Sequence, residues 1–289
     1  MENKTLLITG ANVGIGLETA KNLARTGATI VMMARNKAKG EEAVKEVKTA
    51  TGNAKVFLQM IDLASMQSVR KAAQELLDHH QRIDVLINNA GLIKMEKHLT
   101  EDGFDTIFGV NHLGPYLLTR LLLDRIQETA KREGSTRVLF VSSDLHKRVK
   151  GIDFEDLNWE SRRFNGIKAY GESKQANIMT ANEIARRYGA KGVFAHSIHP
   201  GPVRTNIYRN GNIRGYKLWV TKLAYALVGI SLAEGAATPT FLATSPEAIQ
   251  TNGKYWIKSK IAKTHLPKNE AAVAKKLWEV SAQLTGVDA

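Results

Sequence analysis

The segment from Thr5 to Ala24 reads TLLITGANVGIGLETAKNLA. A short apolar run leads into a loop that carries Gly10, Gly14 and Gly16, and residues typical of a helix follow the last glycine. This order predicts a buried strand, a glycine turn and a helix. The apolar residues 29–33 predict a second strand, which completes a βαβ unit.

Glycine turns at the start of a helix bind phosphate groups. Glycine lets the backbone approach a pyrophosphate, and the free N–H groups and positive dipole end of the helix then hold it. A glycine turn alone is a weak signal, but here a buried-type strand precedes it and a helix follows it. We therefore predict a dinucleotide site in this loop.

The end of the second predicted strand bears on which dinucleotide binds. NAD sites have an acidic residue there that accepts from the ribose 2'-hydroxyl, whereas NADP sites have a basic residue that meets the 2'-phosphate. This chain has Arg35 at that point, followed by Lys39, with no carboxylate before Glu41. We predict NADP(H) as the cofactor, with Arg35 as the main contact and Lys39 assisting. The other interpretation is a solvated basic turn.

Strands and helices alternate along the rest of the chain. Strands are predicted over 55–60, 83–87, 137–141, 193–198 and 253–257, and helices over 38–49, 68–77, 233–243 and 270–284. This alternation implies parallel pairing through right-handed crossovers, with ligands at the carboxyl ends of the strands. The predicted fold is α/β: a single doubly wound Rossmann-type domain over residues 1–289, with a central parallel sheet of about seven strands and helices on both faces.

The composition agrees with one domain. Of the 289 residues 43% are hydrophobic, and the chain has 23 Gly and only 6 Pro, so nothing in it resembles a linker or a low-complexity tract. Cysteine is absent, which excludes disulfides, thiolate metal sites and a cysteine nucleophile.

The net charge of +13 suits an anionic partner. The basic residues are spread along the chain, without the aromatic-studded basic stripe of a nucleic-acid site, so no nucleic acid is expected. The first apolar run, residues 5–9, is too short for a secretory segment, and no run is long enough to span a membrane. We expect a soluble, cytoplasmic protein, either a monomer or a homo-oligomer.

Tyr170 and Lys174 are spaced to act together. Residues 170–184 have the composition of a helix, on which positions i and i+4 share one face. A free tyrosine titrates near pH ~10, and a nearby permanent cation favours its phenolate. The pair could therefore move a proton at neutral pH, although such pairs also occur on solvated helix faces.

The glycine loop and the Tyr170/Lys174 pair occur with other motifs in one order along the chain. These are residues 88–91 (NNAG), Asn111, Ser143 and Pro200-Gly201. With them the chain resembles the short-chain dehydrogenase/reductase family over nearly its whole length. It is most similar to the retinol dehydrogenase-like branch, which includes relatives of light-dependent protochlorophyllide reductase. The features that support this branch are Arg35 with Lys39, the string Val110-Asn111-His112-Leu113-Gly114, and the long spacer between Ser143 and Tyr170.

The resemblance implies a catalytic role for four residues. Tyr170 would donate a proton to the substrate oxygen in reduction and accept one in oxidation. Ser143, favoured over Ser142, would hydrogen-bond that oxygen. Lys174 would hold the nicotinamide ribose and favour the tyrosinate, and Asn111 would position a water that relays protons to solvent.

The resemblance also implies a set of cofactor contacts. The pyrophosphate would lie against Gly10, Asn12, Val13, Gly14, Ile15 and Gly16; the adenine against Asp62 and Leu63; the central ribose region against Asn89, Ala90 and Gly91; and the nicotinamide amide against Pro200, Gly201, Val203 and Thr205. No metal is expected. His112, His146, His196 and His199 lie near these motifs but lack the spacing of a zinc helix. We interpret them as packing or hydrogen-bonding residues, with His146 and His199 able to line the substrate cavity.

Two segments could surround the substrate. Residues 149–166 contain four large apolar side chains among charges, and they could wall the active site or form a surface insertion anchored by its aromatics. Residues 206–231 are apolar and aromatic, and suit a lid over a hydrophobic substrate. They could equally contact a membrane surface or a second subunit.

The predicted activity is that of an NADP(H)-dependent oxidoreductase that interconverts a carbonyl and an alcohol on a small hydrophobic substrate. One alternative is NADPH-dependent reduction of an activated C=C bond, which uses the same proton donor. Another is a binding protein that senses NADP(H) without turnover. The set of Asn111, Ser143, Tyr170 and Lys174 opposes the sensor, which has no chemical reason to keep it.

Overall fold

The structure, a computed structural model, describes residues 1–202 and 229–289. Its centre is an eight-stranded sheet with the strand order β3-β2-β1-β4-β5-β6-β7-β8. The strands are β1 (Thr5–Thr9), β2 (Thr29–Ala34), β3 (Val56–Met60), β4 (Val85–Asn88), β5 (Thr136–Val141), β6 (Val193–His199), β7 (Lys254–Ile257) and β8 (Lys260–Ala262). The first seven pair in parallel, as predicted, whereas the unpredicted β8 is an antiparallel edge strand beside β7.

Helices cover both faces of the sheet. They are α1 (Gly14–Ala24), α2 (Lys37–Thr51), α3 (Met66–His79), α4 (Thr106–Phe108), α5 (Gly114–Glu133), α6 (Gly166–Tyr188), α7 (Leu232–Thr244) and α8 (Glu270–Thr285). A π-helical turn, Gly109–Leu113, joins α4 to α5. Within the described part of the chain, none of the helices combines the length and apolar character that crossing a membrane requires.

The strand β1 shows why the sheet is buried on both sides. All five of its residues are buried. Leu7 packs into the core formed with α3, α5, α6 and α8, while Leu6 and Ile8 pack into the opposite core, formed with α1, α2 and α7. Alternate side chains of a strand point to opposite faces, so an uninterrupted apolar run is what a doubly covered parallel strand needs.

The strand order reverses beside β1, and this reversal places the site. β1 pairs with β2 on one side and with β4 on the other. The helices that follow β1 and β4 therefore leave in opposite directions, and a crevice opens at the carboxyl ends of the two strands. The Thr9 hydroxyl ties these ends together by accepting from the backbone N–H groups of Asn89 (2.9 Å) and Ala90 (3.0 Å).

Candidate active site

The glycine loop between β1 and α1 has a backbone that larger residues would disturb. Gly10 and Gly14 have φ values of +63° and +61°, in the left-handed region that favours glycine. A Cβ on Gly16 would lie 2.5 Å from both the Gly10 carbonyl oxygen and the Asn89 amide nitrogen. The loop is therefore folded tightly against the end of β4, with its backbone open toward the crevice.

Gly16→Ala is expected to disturb this loop strongly. Because the new methyl group meets a backbone carbonyl that cannot rotate away, we expect a loss of about 1–3 kcal/mol in the free energy of unfolding and dinucleotide binding weakened at least about tenfold. Urea denaturation and cofactor titration would measure the two effects. Gly151→Ala is a suitable control, because a Cβ at Gly151 has no neighbour closer than 3.9 Å. Equal behaviour of the two variants would contradict the expectation.

Asn89 joins the glycine loop to β4. Its side-chain amide donates to the carbonyl oxygens of Thr9 (2.8 Å) and Gly10 (3.4 Å). The sequence indicated Asn89 only as a ribose contact. In the structure its side chain holds the glycine loop in place, and it also lies on the wall of the crevice.

A cavity of about 730 Å³ runs along this crevice. Its walls include predicted cofactor contacts from the glycine loop, from the ends of three strands and from the start of α2: Gly10, Asn12, Val13, Gly14, Ile15, Gly16, Arg35, Lys39, Asp62, Leu63, Asn89, Ala90 and Gly91. The volume of the groove, the bare glycine backbone and the start of α1 fit a dinucleotide with a central pyrophosphate.

Basic side chains lie at one end of the groove. The Arg35 side chain is 70% exposed, and its guanidinium is 3.8 Å from the carboxylate of Asp62. Lys39 belongs to the first turn of α2, which is capped by the Asn36 side chain accepting from the Lys39 N–H (3.0 Å). Two cations and a helix start could therefore hold an anionic group at this end.

The helix α6 carries Tyr170 and Lys174. Asn165 caps its start by accepting from the Lys168 N–H at 3.0 Å. A Cβ on Gly166 would lie 1.9 Å from the Lys94 carbonyl oxygen, so glycine allows the helix start to pack against that backbone. The Lys174 ammonium lies 5.3 Å from the centre of the Tyr170 ring, as expected for positions i and i+4 on one face.

Lys174 is deeply buried. Its side chain is fully enclosed, and its ammonium donates to the Val141 carbonyl oxygen at 2.9 Å. Burial lowers the pKa of Lys174 to about 7, because a charge is poorly solvated inside a protein. The cofactor-free protein therefore holds the proton of Lys174 less tightly than the permanent cation expected from the sequence would. Near pH 7, small electrostatic changes in the site alter the charge of this lysine.

The two neighbouring serines have different roles. The Ser142 hydroxyl is buried and donates to the Lys174 carbonyl oxygen at 2.8 Å, which joins β5 to α6. The Ser143 hydroxyl accepts from the Leu145 N–H at 3.2 Å. That bond leaves the hydroxyl hydrogen of Ser143 available to a ligand, and the residue lies on a cavity wall beside Tyr170. These contacts favour Ser143 over Ser142 as the group that meets a substrate oxygen.

Asn111 lies in the π-helical turn before α5 and is fully buried. Its side-chain oxygen accepts from the Leu92 N–H (2.8 Å), and its amide donates to the Leu92 carbonyl (2.9 Å) and the Ser173 hydroxyl (3.0 Å). A Cβ on Gly91 would lie 3.1 Å from the Lys174 ammonium and 3.4 Å from the Asn111 side-chain oxygen. Asn111 thus lies beside Lys174, with both amide hydrogens already donated. Its proposed water relay stays a prediction.

A second cavity, of about 480 Å³, opens beside Tyr170. It shares the wall residues Ile15, Asn89 and Gly91 with the groove, so the two spaces adjoin. The predicted residues on its walls are Ser143, Tyr170, Lys174, Pro200 and Gly201. Val203, Thr205 and most of the predicted lid at 206–231 lie outside the described residues.

Further residues line this second cavity that the sequence did not indicate. Ile93, Leu145 and Ile167 contribute apolar walls, and Asp144 and Arg148 contribute charges. Each lies within a few residues of a predicted site position, and Ile167 is one helical turn before Tyr170. Proximity to Gly91, Ser143 and Tyr170 was the signal that could have found them.

Three of the four histidines near the motifs have structural roles. His112 and His196 are fully buried and bond to Ser281 (2.8 Å) and the Ala248 carbonyl (2.8 Å). His146 bonds to the Ser143 carbonyl and accepts from the His265 N–H at 3.2 Å. His199 alone of the four lies on the wall of the second cavity, with its ring 3.7 Å from the Asp144 carboxylate.

Across residues 1–202 and 229–289, His, Asp and Glu side chains form no group of three that could hold an ion.

Comparisons with known proteins agree with this geometry. The family profile described as short chain dehydrogenase matches residues 4–153. Retinol dehydrogenase 13 of Homo sapiens is 40% identical over 289 residues, which cover 99% of this chain and 86% of that protein.

Solved structures show the same fold. A crystal structure of a putative uncharacterized protein from Mycobacterium paratuberculosis has a TM-score of 0.77 and 33% identity, and the match covers 99% of this chain and 95% of that one. The RhlG/NADP complex of Pseudomonas aeruginosa has a TM-score of 0.70 at 22% identity, over 88% of this chain and 94% of that chain, and shows similarity of fold alone. The profile match and the identity to a retinol dehydrogenase over nearly the whole chain show that this protein belongs to the short-chain dehydrogenase family, in its retinol dehydrogenase-like branch.

Proposed function

We propose that the protein is an NADP(H)-dependent oxidoreductase that interconverts a carbonyl and an alcohol on a small hydrophobic substrate. The observation that carries the proposal is that Tyr170 and Lys174 share one face of α6 and both line the second cavity, which adjoins the long groove. A proton donor there can protonate a substrate in the cavity while a dinucleotide bound in the adjoining groove would supply the hydride.

The residues have complementary roles in this proposal. When bound, the nicotinamide supplies the hydride for reduction or accepts it in oxidation. In reduction the Tyr170 hydroxyl donates its proton to the substrate oxygen as that oxygen gains negative charge. The Ser143 hydroxyl donates a hydrogen bond to the same oxygen. Lys174 holds the ribose and favours the tyrosinate that is left.

A hydrophobic substrate is supported by the walls of the second cavity. Ile93, Leu145 and Ile167 line it, together with Pro200 and Pro202. Apolar walls around a few convergent polar groups are the usual make-up of a small-molecule site.

The test is an assay of NADPH consumption with aldehydes, ketones and enones, in which the products are identified. The proposal expects an alcohol from an aldehyde or ketone. A saturated carbonyl formed from an enone, with no alcohol from any substrate, would favour reduction of the C=C bond. Tight NADPH binding without turnover of any substrate would favour a sensor.

The preference for NADP(H) is supported by Arg35 and Lys39 at one end of the groove. Replacing Arg35 by Ser removes a charge-assisted bond to the 2'-phosphate, worth about 1.5–3 kcal/mol. We therefore expect kcat/KM for NADPH to fall about 10- to 100-fold, with little change for NADH. Steady-state kinetics with both cofactors would measure the ratio.

Lys37→Ser is the matched control for Arg35→Ser. It removes the same charge two residues away, from a side chain that is 75% exposed and faces Glu41. If it changed the cofactor ratio as much as Arg35→Ser, the effect would come from general electrostatics and not from a specific contact.

A further inference from the structure

Arg162 connects the segment before the catalytic helix to that helix. Its guanidinium donates to both carboxylate oxygens of Glu172, at 2.8 and 3.0 Å. Glu172 lies on α6 between Tyr170 and Lys174, and its side chain is only 9% exposed. A two-pronged bond of this kind fixes orientation as well as distance.

The same guanidinium holds Trp159. It stacks on the indole ring at 3.6 Å and donates to the Asp156 carbonyl oxygen at 3.1 Å. Trp159 is 5% exposed and belongs to one small apolar cluster with Ile93, Ala169 and Tyr170. Arg162 thus contacts one residue of α6 directly and supports an aromatic ring that packs in the cluster of Tyr170.

The backbone at Trp159 needs this support. Its φ of +55° is in the left-handed region, which is unfavourable for a bulky residue. The three residues after Trp159 all donate their backbone N–H groups to the Asp156 carboxylate; they are Glu160, Ser161 and Arg162. The Lys97 ammonium donates to the Trp159 carbonyl at 3.1 Å. Such a conformation persists only where several contacts determine it, and these contacts converge behind the proton donor.

We propose that Arg162 is a positioning residue for Tyr170: its bidentate pair with Glu172 and its stack on Trp159 fix the first turns of α6 and so hold Tyr170 in place on the wall of the second cavity. This inference rests on the proposed function of Tyr170. It also gives residues 149–166 a role behind the wall of the site, because none of them lines the second cavity.

The chain offers a control pair at the other end of α6, where the carboxylate has a second partner: Arg186 also donates to Glu183, at 2.9 Å. Arg187 pairs with the buried Glu183 at 2.7 Å and stacks over Trp278 at 4.9 Å. The exposures of the two pairs are nearly equal, 27% and 9% for Arg162–Glu172 and 29% and 8% for Arg187–Glu183. Glu183 lies more than three helical turns beyond Tyr170.

The experiment compares Arg162→Gln with Arg187→Gln at equal folded fraction. A displacement of a catalytic group by about 1 Å can cost on the order of 10²-fold in rate. We expect Arg162→Gln to lower kcat at least about tenfold with KM for NADPH within about twofold, and Arg187→Gln to keep kcat within about twofold. Equal kcat values for the two variants would overturn the proposal. If Arg162→Gln does not fold, Glu172→Gln and Glu183→Gln replace the pair, with the same expectations.

A second measurement is independent of turnover. Amide hydrogen exchange over residues 166–174 should be at least about tenfold faster in Arg162→Gln than in the wild type, and unchanged in Arg187→Gln. If none of the tested substrates supports NADPH oxidation by the wild type, the proposed function fails. The exchange comparison still decides whether Arg162 fixes the start of α6. Equal exchange rates in the two variants would show that it does not.

Discussion

Tyr170→Phe is expected to lower kcat about 10³-fold, because it removes only the hydroxyl proton that general acid catalysis uses. The phenyl ring would still fill the apolar cluster with Ile93, Ile107, Trp159 and Ala169, so the free energy of unfolding should change by less than about 1.5 kcal/mol. The NADPH dissociation constant should stay within about twofold, because the groove is formed by other residues. Stopped-flow measurement of NADPH oxidation would give kcat, fluorescence titration of the cofactor its dissociation constant, and urea denaturation the free energy of unfolding.

Tyr188→Phe provides the control for this substitution. Tyr188 is the last residue of the same helix and packs against Trp278, with ring centres 6.3 Å apart. Its replacement should leave kcat within about twofold. If Tyr170→Phe turned over substrate at the rate of the wild type, Tyr170 would not be the proton donor. The catalytic part of the proposal would then have to be abandoned.

The sheet and most of the site could be predicted because both follow from local rules. A parallel strand buried on both faces must be an uninterrupted apolar run, and β1 is one. The residue that follows such a strand lies at the ligand edge of the sheet. Arg35, Asp62 and Asn89 were found in this way, and all three line the groove.

Features that depend on packing between distant residues could not be predicted. The sequence shows a lysine four residues after Tyr170, but not that Val141 and the surrounding core enclose its ammonium. Arg162 and Glu172 are ten residues apart in a charged stretch, where an ion pair with a buried partner looks like any surface charge. The antiparallel strand β8 is only three residues long and was too short to give a strand pattern.

Lys174→Met is expected to stabilise the cofactor-free protein while it removes most of the activity. Burial lowers the pKa of Lys174 to about 7, below the value of about 10.4 for an unfolded chain. Below pH 7 the amine is protonated in both the folded and the unfolded chain. Burying it there lowers the free energy of unfolding by on the order of several kcal/mol. Met removes that cost. The Val141 carbonyl keeps a partner in the variant, because the Asn177 amide also donates to it at 3.3 Å.

The pH dependence of the stability difference tests the cause. As pH rises from 7 to about 10.4, the native lysine is neutral while the unfolded chain still binds the proton, so the wild type gains stability with pH. The excess stability of Lys174→Met, measured by urea denaturation, should therefore be greatest below pH 7 and should diminish steadily towards pH 10. A constant excess over this range would mean that packing of the methionine, and not the buried charge, produced it.

Activity should change in the opposite direction to stability. Without the ammonium beside Tyr170 and the ribose site, kcat should fall about 10²-fold or more and NADPH should bind more weakly. The gain in melting temperature of Lys174→Met over the wild type should then become smaller when both proteins are saturated with NADPH, because the cofactor stabilises the wild type more. A variant that is more stable, binds NADPH as tightly and turns over as fast would show that Lys174 has no part in catalysis. The buried lysine would then destabilise the fold without contributing to catalysis.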